Sequence, residues 1–195
     1  MKNILILISL FPVIATAQSI DGFYLGAGYG STDFDDNNMF KDEINLPMSS
    51  DSGNAVKIIA GYQFNRIVSL ETQYTNYGNI DVKTYKPFSG AVNGQLKLEH
   101  QSYTVAANVG YTFNNGLRPF GTIGLGSIEM KQGSWSDNGG VVRVGVGLEY
   151  SPLMLNGFSM RAAYEVDGYE LQDQNSGKTY DQSIGSFYLG TTYKF

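Results

Sequence analysis

The chain has 195 residues, a net charge of −5, no cysteine and a single histidine, with 42% hydrophobic but only 16% charged residues. The absence of cysteine excludes a disulfide scaffold, a thiolate zinc site and a cysteine nucleophile, and His100 alone cannot supply a histidine-rich metal centre. The negative balance disfavours nucleic acid as a partner, while abundant glycine and sparse charge argue against both disorder and a coiled coil.

The N-terminus reads as an address. Met1-Lys2 carries a positive charge, Ile4 to Ile14 is apolar apart from Ser9 and Pro12, and Ala15-Thr16-Ala17 offers the small residues a signal peptidase accepts. The run is too short for a helical bilayer span, which takes about 20 residues. Residues 1–17 are therefore expected to be a signal peptide cleaved after Ala17, leaving 18–195 as one domain.

From Ile20 onward the dominant period is two, the signature of strands. In Ile20 to Gly30, Phe23, Leu25, Ala27 and Tyr29 oppose Tyr24, Gly26, Gly28 and Gly30. Asn54 to Phe64 sets Val56, Ile58, Ala60 and Tyr62 against Lys57, Gly61 and Gln63. After a turn at Asn65-Arg66, Ile67 to Tyr77 sets Val68, Leu70, Thr72 and Tyr74 against Ser69, Glu71 and Gln73. Ser102 to Phe113 alternates Tyr103, Val105, Ala107, Val109 and Tyr111 with Thr104, Asn108, Gly110 and Thr112.

Asn114-Asn115-Gly116 is a turn signal, and Arg118 to Glu129 returns with Ile123 and Leu125 opposite Thr122, Gly124 and Gly126. Val141 to Ser151 places Val142, Val144, Val146 and Leu148 against Arg143, Gly145, Gly147 and Glu149. Gly157 to Gly168 follows a turn over residues 152–156 and sets Phe158, Met160, Ala162 and Tyr164 against Ser159, Arg161, Glu165 and Asp167. Ser183 to Phe195 closes the series, with Phe187, Leu189, Thr191 and Tyr193 opposite Tyr188, Gly190, Thr192 and Lys194.

Three connections are short, at Asn65, Asn115 and residues 152–156; four are long, Ser31 to Gly53, Gly78 to Gln101, Met130 to Gly140 and Tyr169 to Gln182. Alternating short turns and long loops, with strands long enough to cross a bilayer at a tilt, match an outer-membrane barrel. Periodicity alone does not say which face is wet, but the aromatics do. Rings of Phe and Tyr lie on the apolar faces at both strand ends, as interfacial girdles do. The predicted fold is all-β, an eight-stranded antiparallel up-and-down transmembrane β-barrel. The segments around Asp36, Tyr85, Trp135 and Gln174 are expected outside the cell, and Asn65, Asn115 and Asn156 in the periplasm.

Phe23 to Gly30, Ser69 to Tyr74 and Arg118 to Gly126 resemble the small eight-stranded outer-membrane barrel superfamily, which includes OmpA-type transmembrane domains and OmpX- and opacity-type proteins. That resemblance implies the outer membrane of a Gram-negative bacterium, with outer-membrane lipids and lipopolysaccharide as surroundings. Phe187, Leu189, Tyr193 and Phe195 are similar to the family's C-terminal assembly signal, which implies the barrel-assembly machinery as a partner during insertion. Unlike full-length OmpA, the sequence carries no periplasmic peptidoglycan-binding domain after the barrel, so no cell-wall tether is expected.

Little chemistry is expected. His100-Gln101-Ser102 resembles the H-x-S portion of the lipid A deacylase family, yet Ser102 falls on the polar face, away from acyl chains. Asp33 to Asn37 superficially suggests a calcium loop but lacks the glycine and glutamate such a loop needs, with Asn38 and Ile44 in their places. No cofactor or metal is expected, and the protein is read as a monomer. The remaining constellation is the set of charges on the polar face: Lys57, Glu71, Arg143, Glu149, Arg161 and Glu165. Counting up from the short turns pairs Arg143 with Glu165 and Glu149 with Arg161, with Lys57 and Glu71 as a diagonal third pair plugging the lumen. The expected function is a structural or surface-interaction role that presents the long loops, to an extracellular ligand the sequence does not specify. A narrow channel is the alternative, and a lipid A-modifying enzyme using His100 and Ser102 the second.

Overall fold

The computed structural model describes residues 21–35, 48–51, 53–85, 92–132, 135–172 and 179–195. The expected signal peptide and much of the first outer segment, including Asp36, lie outside these residues, as does Gln174.

The strands are β1 (Gly22–Asp35), β2 (Met48–Asp51), β3 (Asn54–Gln63), β4 (Val68–Tyr85), β5 (Val92–Gly110), β6 (Leu117–Gln132), β7 (Trp135–Tyr150), β8 (Phe158–Gln172) and β9 (Thr179–Lys194). Short β2 and β3 both pair with β4 and act as one interrupted strand. The order β4-β3-β1-β9-β8-β7-β6-β5, closed by β4–β5 pairing, makes an eight-stranded barrel. Every pairing is antiparallel. Closure removes the free sheet edge that lipid would otherwise leave unsatisfied.

The short turns follow from their side chains. Asn65 Oδ1 accepts the backbone N–H groups of Ile67 at 2.7 Å and Val68 at 2.9 Å, mimicking a backbone turn. Asn115 Oδ1 accepts the Leu117 N–H at 3.1 Å.

Two regimes share these strands. Over the lower part of the barrel, near the short turns, the outward face is apolar: Leu25, Ile58, Ile123, Leu125, Val144 and Val146 are all exposed. An aromatic ladder, Phe23–Tyr62 at 4.7 Å and Tyr62–Phe64 at 5.1 Å, rings that end. Tyr74 and Tyr103, 4.9 Å apart, mark the other boundary. Beyond it the polarity reverses. Outward positions become Asp33, Asp35, Glu99, Glu129, Glu170 and Asp181, while Phe34, Ile80, Ile128, Met130, Val141, Tyr169 and Ile184 pack inward as one cluster. The barrel is inside-out in lipid and conventionally cored above it.

This reversal corrects the reading of the long connections. Much of Gly78 to Gln101, Met130 to Gly140 and Tyr169 to Gln182 is strand, not loop, and the β6–β7 pairing runs as far as Gln132 opposite Trp135. Tyr85 and Trp135 are strand ends. A bulge helps the change of phase. The β4–β5 register passes from Asn76↔Gln101 to Asn79↔Glu99, so β4 carries one extra residue. Gly78 takes φ +70°, its N–H bonded to Asn76 Oδ1 at 2.8 Å. A Cβ there would meet the Asn54 carbonyl at 2.7 Å, so both conformation and space demand glycine. Tyr77 thereby points inward below the bulge, and Ile80 above it.

If the polarity reversal marks the membrane boundary, Ile123→Arg should cost roughly 2–4 kcal/mol of folding free energy in lipid vesicles, and Glu129→Arg roughly 0–1 kcal/mol. Reversible urea unfolding of the two variants measures the difference; equal costs would mean that the lipid band is misplaced.

Candidate functional site

The inward face of the membrane band is polar because the outward face cannot be, and the charges it carries must satisfy one another. Arg143 on β7 sits at the centre with no exposed side-chain area. Its Nε and Nη2 each donate to one oxygen of Asp167 at 2.6 Å, a bidentate pair. Nη1 donates to Gln73 Oε1 at 2.6 Å, and Nη2 also reaches Ser102 Oγ at 2.9 Å, Thr75 Oγ1 at 3.2 Å and the Tyr77 hydroxyl at 3.3 Å. One guanidinium thus joins β7 to β4, β5 and β8.

Register explains the choice of partner. Arg143 lies opposite Asp167, and Glu165 lies opposite Gly145. The expected direct pair Arg143–Glu165 is a longer contact of 3.7 Å from Nη1. Tyr150 pairs with Met160, which makes Ser151 level with Ser159 and brings Asp167, not Glu165, to the level of Arg143.

Glu165 instead receives Lys57 Nζ at 2.6 Å from across the lumen, with Gln73 Nε2 at 3.3 Å and the Tyr188 hydroxyl at 3.2 Å on its other oxygen. The Lys57 ammonium also lies 4.8 Å from the centre of the Tyr188 ring. Lys57 and Glu71 therefore do not form the expected third pair. Glu71 receives Arg161 Nη2 at 2.9 Å, the Tyr24 hydroxyl at 2.6 Å, Asn108 Nδ2 at 2.9 Å and Gln73 Nε2 at 2.8 Å. Glu149 faces Arg161 in register and takes its Nη2 at 2.8 Å and Nε at 3.0 Å. Through Gln73, which touches Arg143, Glu165 and Glu71, the charges form one continuous network.

Asp167, Gln73, Tyr77, Tyr24 and Tyr188 are members that counting from the turns did not name. Asp167 was in view, on the same face as Glu165. The others contribute hydroxyls or an amide, which carry no charge pattern. Large and small residues interlock around them: a Cβ on Gly28 would stand 2.7 Å from the Tyr188 ring. A smaller apolar cluster of Tyr24, Ile59, Phe120, Ala163 and Tyr188 packs among the charges, with the Arg161 guanidinium 4.8 Å from the Phe120 ring.

His100 and Ser102 are both inside the barrel and buried. Ser102 accepts from Arg143, while His100 lies between Phe34 and Tyr169, with ring centres 5.4 and 6.2 Å away. Nothing joins the two side chains, and neither faces lipid. Among the described residues no group of three or more His, Asp and Glu side chains is placed to hold a metal ion. Asp33 and Asp35 lie on the outer, exposed face of β1. On β9, Phe187 level with Ser31, Leu189 below it and Phe195 at the short-turn end are exposed on the outward face, and Tyr193 is half-buried between Phe158 and Phe195.

A closed antiparallel barrel with an apolar outer band, aromatic girdles and a charged, mutually paired interior defines an outer-membrane β-barrel protein. Residues 4–195 match the outer membrane protein beta-barrel domain family, and the chain belongs to it. No curated protein sequence matches the chain. Among solved structures it is similar to Neisserial surface protein A, at 18% identity over 89% of this chain and 97% of that one, with a TM-score of 0.59. It is also similar to Ail, the attachment invasion locus protein of Yersinia pestis in complex with the heparin analogue sucrose octasulfate, at 17% identity over 91% of this chain and 100% of that one, TM-score 0.51. OprG of Pseudomonas aeruginosa is a third, at 14% identity over 89% and 96%, TM-score 0.52. Identities this low establish likeness of fold. The protein resides in the outer membrane.

Arg143→Ala leaves Asp167 buried without its cation, and should destabilise the folded barrel by roughly 3–5 kcal/mol. Adding Asp167→Ala should recover part of that loss, and more than Glu165→Ala does, because Glu165 keeps Lys57. Unfolding midpoints of the single and double variants in lipid test the order of rescue; the reverse order would return Glu165 to the role of principal partner.

Proposed function

We propose that the protein is a closed, non-conducting scaffold in the outer membrane whose working surface is its extracellular end. The observation that carries this reading is the double filling of the lumen. The ion network occupies the membrane band, with Lys57, Glu71, Arg143, Glu165 and Asp167 wholly buried, and the apolar cluster around Ile80, Ile128 and Ile184 lies above it. Water or ions would have to pass both. Eight strands give an interior that side chains just fill. A barrel closed to passage has its outside left to work with.

The extracellular rim is acidic. Asp33, Asp35, Glu99, Glu170 and Asp181 are exposed there with Lys97, and the first outer segment adds Asp36, Asp42, Glu43 and Asp51 against Lys41. Such a rim favours cationic ligands, or divalent cations bridging to lipopolysaccharide, and disfavours a polyanion of the kind bound in the Ail complex. Full closure of the sheet supports a monomer, since no strand edge is left to pair.

Purified protein in planar bilayers should show no stable conductance steps. Large, long-lived single-channel currents from the unaltered chain would overturn the plug and establish the narrow-channel alternative.

The exposed aromatic and aliphatic face of β9 supports its reading as the assembly signal, with the barrel-assembly machinery as the partner. Deleting Phe195 should sharply reduce the heat-modifiable, folded form recovered from outer membranes. Undiminished folded protein after the deletion would count against that role.

A further inference from the structure

The three turns at the periplasmic end differ in kind. The β3–β4 turn presents Asn65 and Arg66 and the β5–β6 turn Asn114 and Asn115, with Arg66 Nη1 donating to Asn114 Oδ1 at 3.4 Å between them. The β7–β8 turn presents Leu153, Met154 and Leu155, exposed by 68%, 95% and 54%. A single exposed apolar residue is ordinary, but three consecutive ones at a turn tip, with no polar side chain among them, are not.

The turn is folded. Leu155 N–H bonds the Pro152 carbonyl at 3.0 Å, Phe158 N–H bonds the Leu155 carbonyl at 3.0 Å, and Ser151 N–H bonds the Gly116 carbonyl at 2.9 Å. Gly157, at φ +82°, returns the chain to β8, and its carbonyl accepts the Lys194 N–H at 2.8 Å. The three side chains are therefore held out by a defined backbone.

Their surroundings identify the occupant. Directly above the turn the exposed Tyr150, Phe158 and Met160 belong to the lipid-facing surface. The ring ladder Phe158–Tyr193–Phe195, at 4.9 and 5.2 Å, extends the same surface sideways along β9. Elsewhere the apolar band stops at its girdle and the turn beyond is polar; here it continues through the tip.

We propose that Leu153-Met154-Leu155 is a lipid anchor, seated among the headgroups and upper acyl chains of the periplasmic, phospholipid leaflet. The short-turn end of outer-membrane barrels faces that leaflet. Apolar side chains at a membrane surface bind in proportion to the area they bury, and an uncharged tip joined to a surface already in lipid needs no second protein to cover it. The β7–β9 side of the barrel thus sits deeper than the side bearing Asn65 and Asn115.

The sequence contains no cysteine, so Met154→Cys and Asn115→Cys in the full chain each supply a unique labelling site. Both are labelled with an environment-sensitive nitrobenzoxadiazole probe and folded into nanodiscs of phosphatidylethanolamine and phosphatidylglycerol, which leave both faces open to solvent. The probe at 154 should emit to the blue of the probe at 115, be several-fold less accessible to iodide, and be quenched by lipids spin-labelled near the headgroup. Equal iodide quenching at the two positions in these nanodiscs, with no periplasmic protein added, would overturn the anchor and leave the patch as a surface for a periplasmic protein. A triple variant, Leu153→Asn, Met154→Ser and Leu155→Asn, with the probe at the exposed Asn156→Cys of the same turn, checks the cause. Iodide access at 156 should rise several-fold in the triple variant while the heat-modifiable fold is retained; unchanged access in folded protein also overturns the proposal.

Discussion

The guanidinium of Arg143 is the point on which the interior depends. It cannot shed its proton, and in the lumen it has no bulk water to turn to. Its partners must therefore come from other strands, and they do: Asp167 from β8, Gln73, Thr75 and Tyr77 from β4, and Ser102 from β5. Each of those groups then needs its own remaining bonds met. Gln73 passes the requirement to Glu71 and Glu165, and these bring in Arg161, Lys57, Tyr24 and Tyr188. A set of charges this interlocked is weak evidence for high stability, because desolvation offsets much of the attraction. What it does enforce is register. Sliding one strand by a single residue would exchange the inward and outward faces and leave several buried ions unpaired.

That constraint also accounts for the reversal of polarity along each strand. Lipid forbids outward polar groups, so the inward face in the membrane band must take them. Once a strand passes into water the prohibition lifts, and ordinary apolar burial becomes favourable again inside. On β6 the inward sequence changes from Thr122 and Gly124 to Ile128 and Met130, while the outward one changes from Ile123 and Leu125 to Glu129 and Lys131. The strands continue without interruption because backbone pairing is indifferent to which face is wet.

Sequence periodicity therefore revealed the membrane half well and the outer half poorly. Alternation in Val141 to Ser151 or Ser183 to Phe195 is unambiguous, and Asn65 and Asn115 announce their turns. In Asn79 to Tyr85 and Val92 to Gln101 the same alternation persists with opposite sign and many polar residues, so it reads as loop. The network was legible only where a pair is in register near a turn, as with Glu149 and Arg161. Arg143 takes Asp167, two residues along β8 from the Glu165 that counting assigns to it. Lys57 and Glu165 stand on β3 and β8, which are not neighbours in the sheet. No strand-by-strand count brings them together, because their contact is a consequence of closure. Tyr77 owes its place to a bulge whose signal, a glycine at 78, has many other uses in this chain.

The same division of labour separates what is rigid from what can vary. The network and the apolar cluster above it are tied to β1 and to each of β3 to β9, so a change in either disturbs the whole barrel. Outward positions beyond the girdle, such as Glu99 and Glu170, make no such demands on the lumen. Side chains there can change without breaking a buried bond, provided they remain polar. On the function proposed above, contact with anything beyond the membrane therefore falls to this rim, while the filled interior holds the strands that carry it in register.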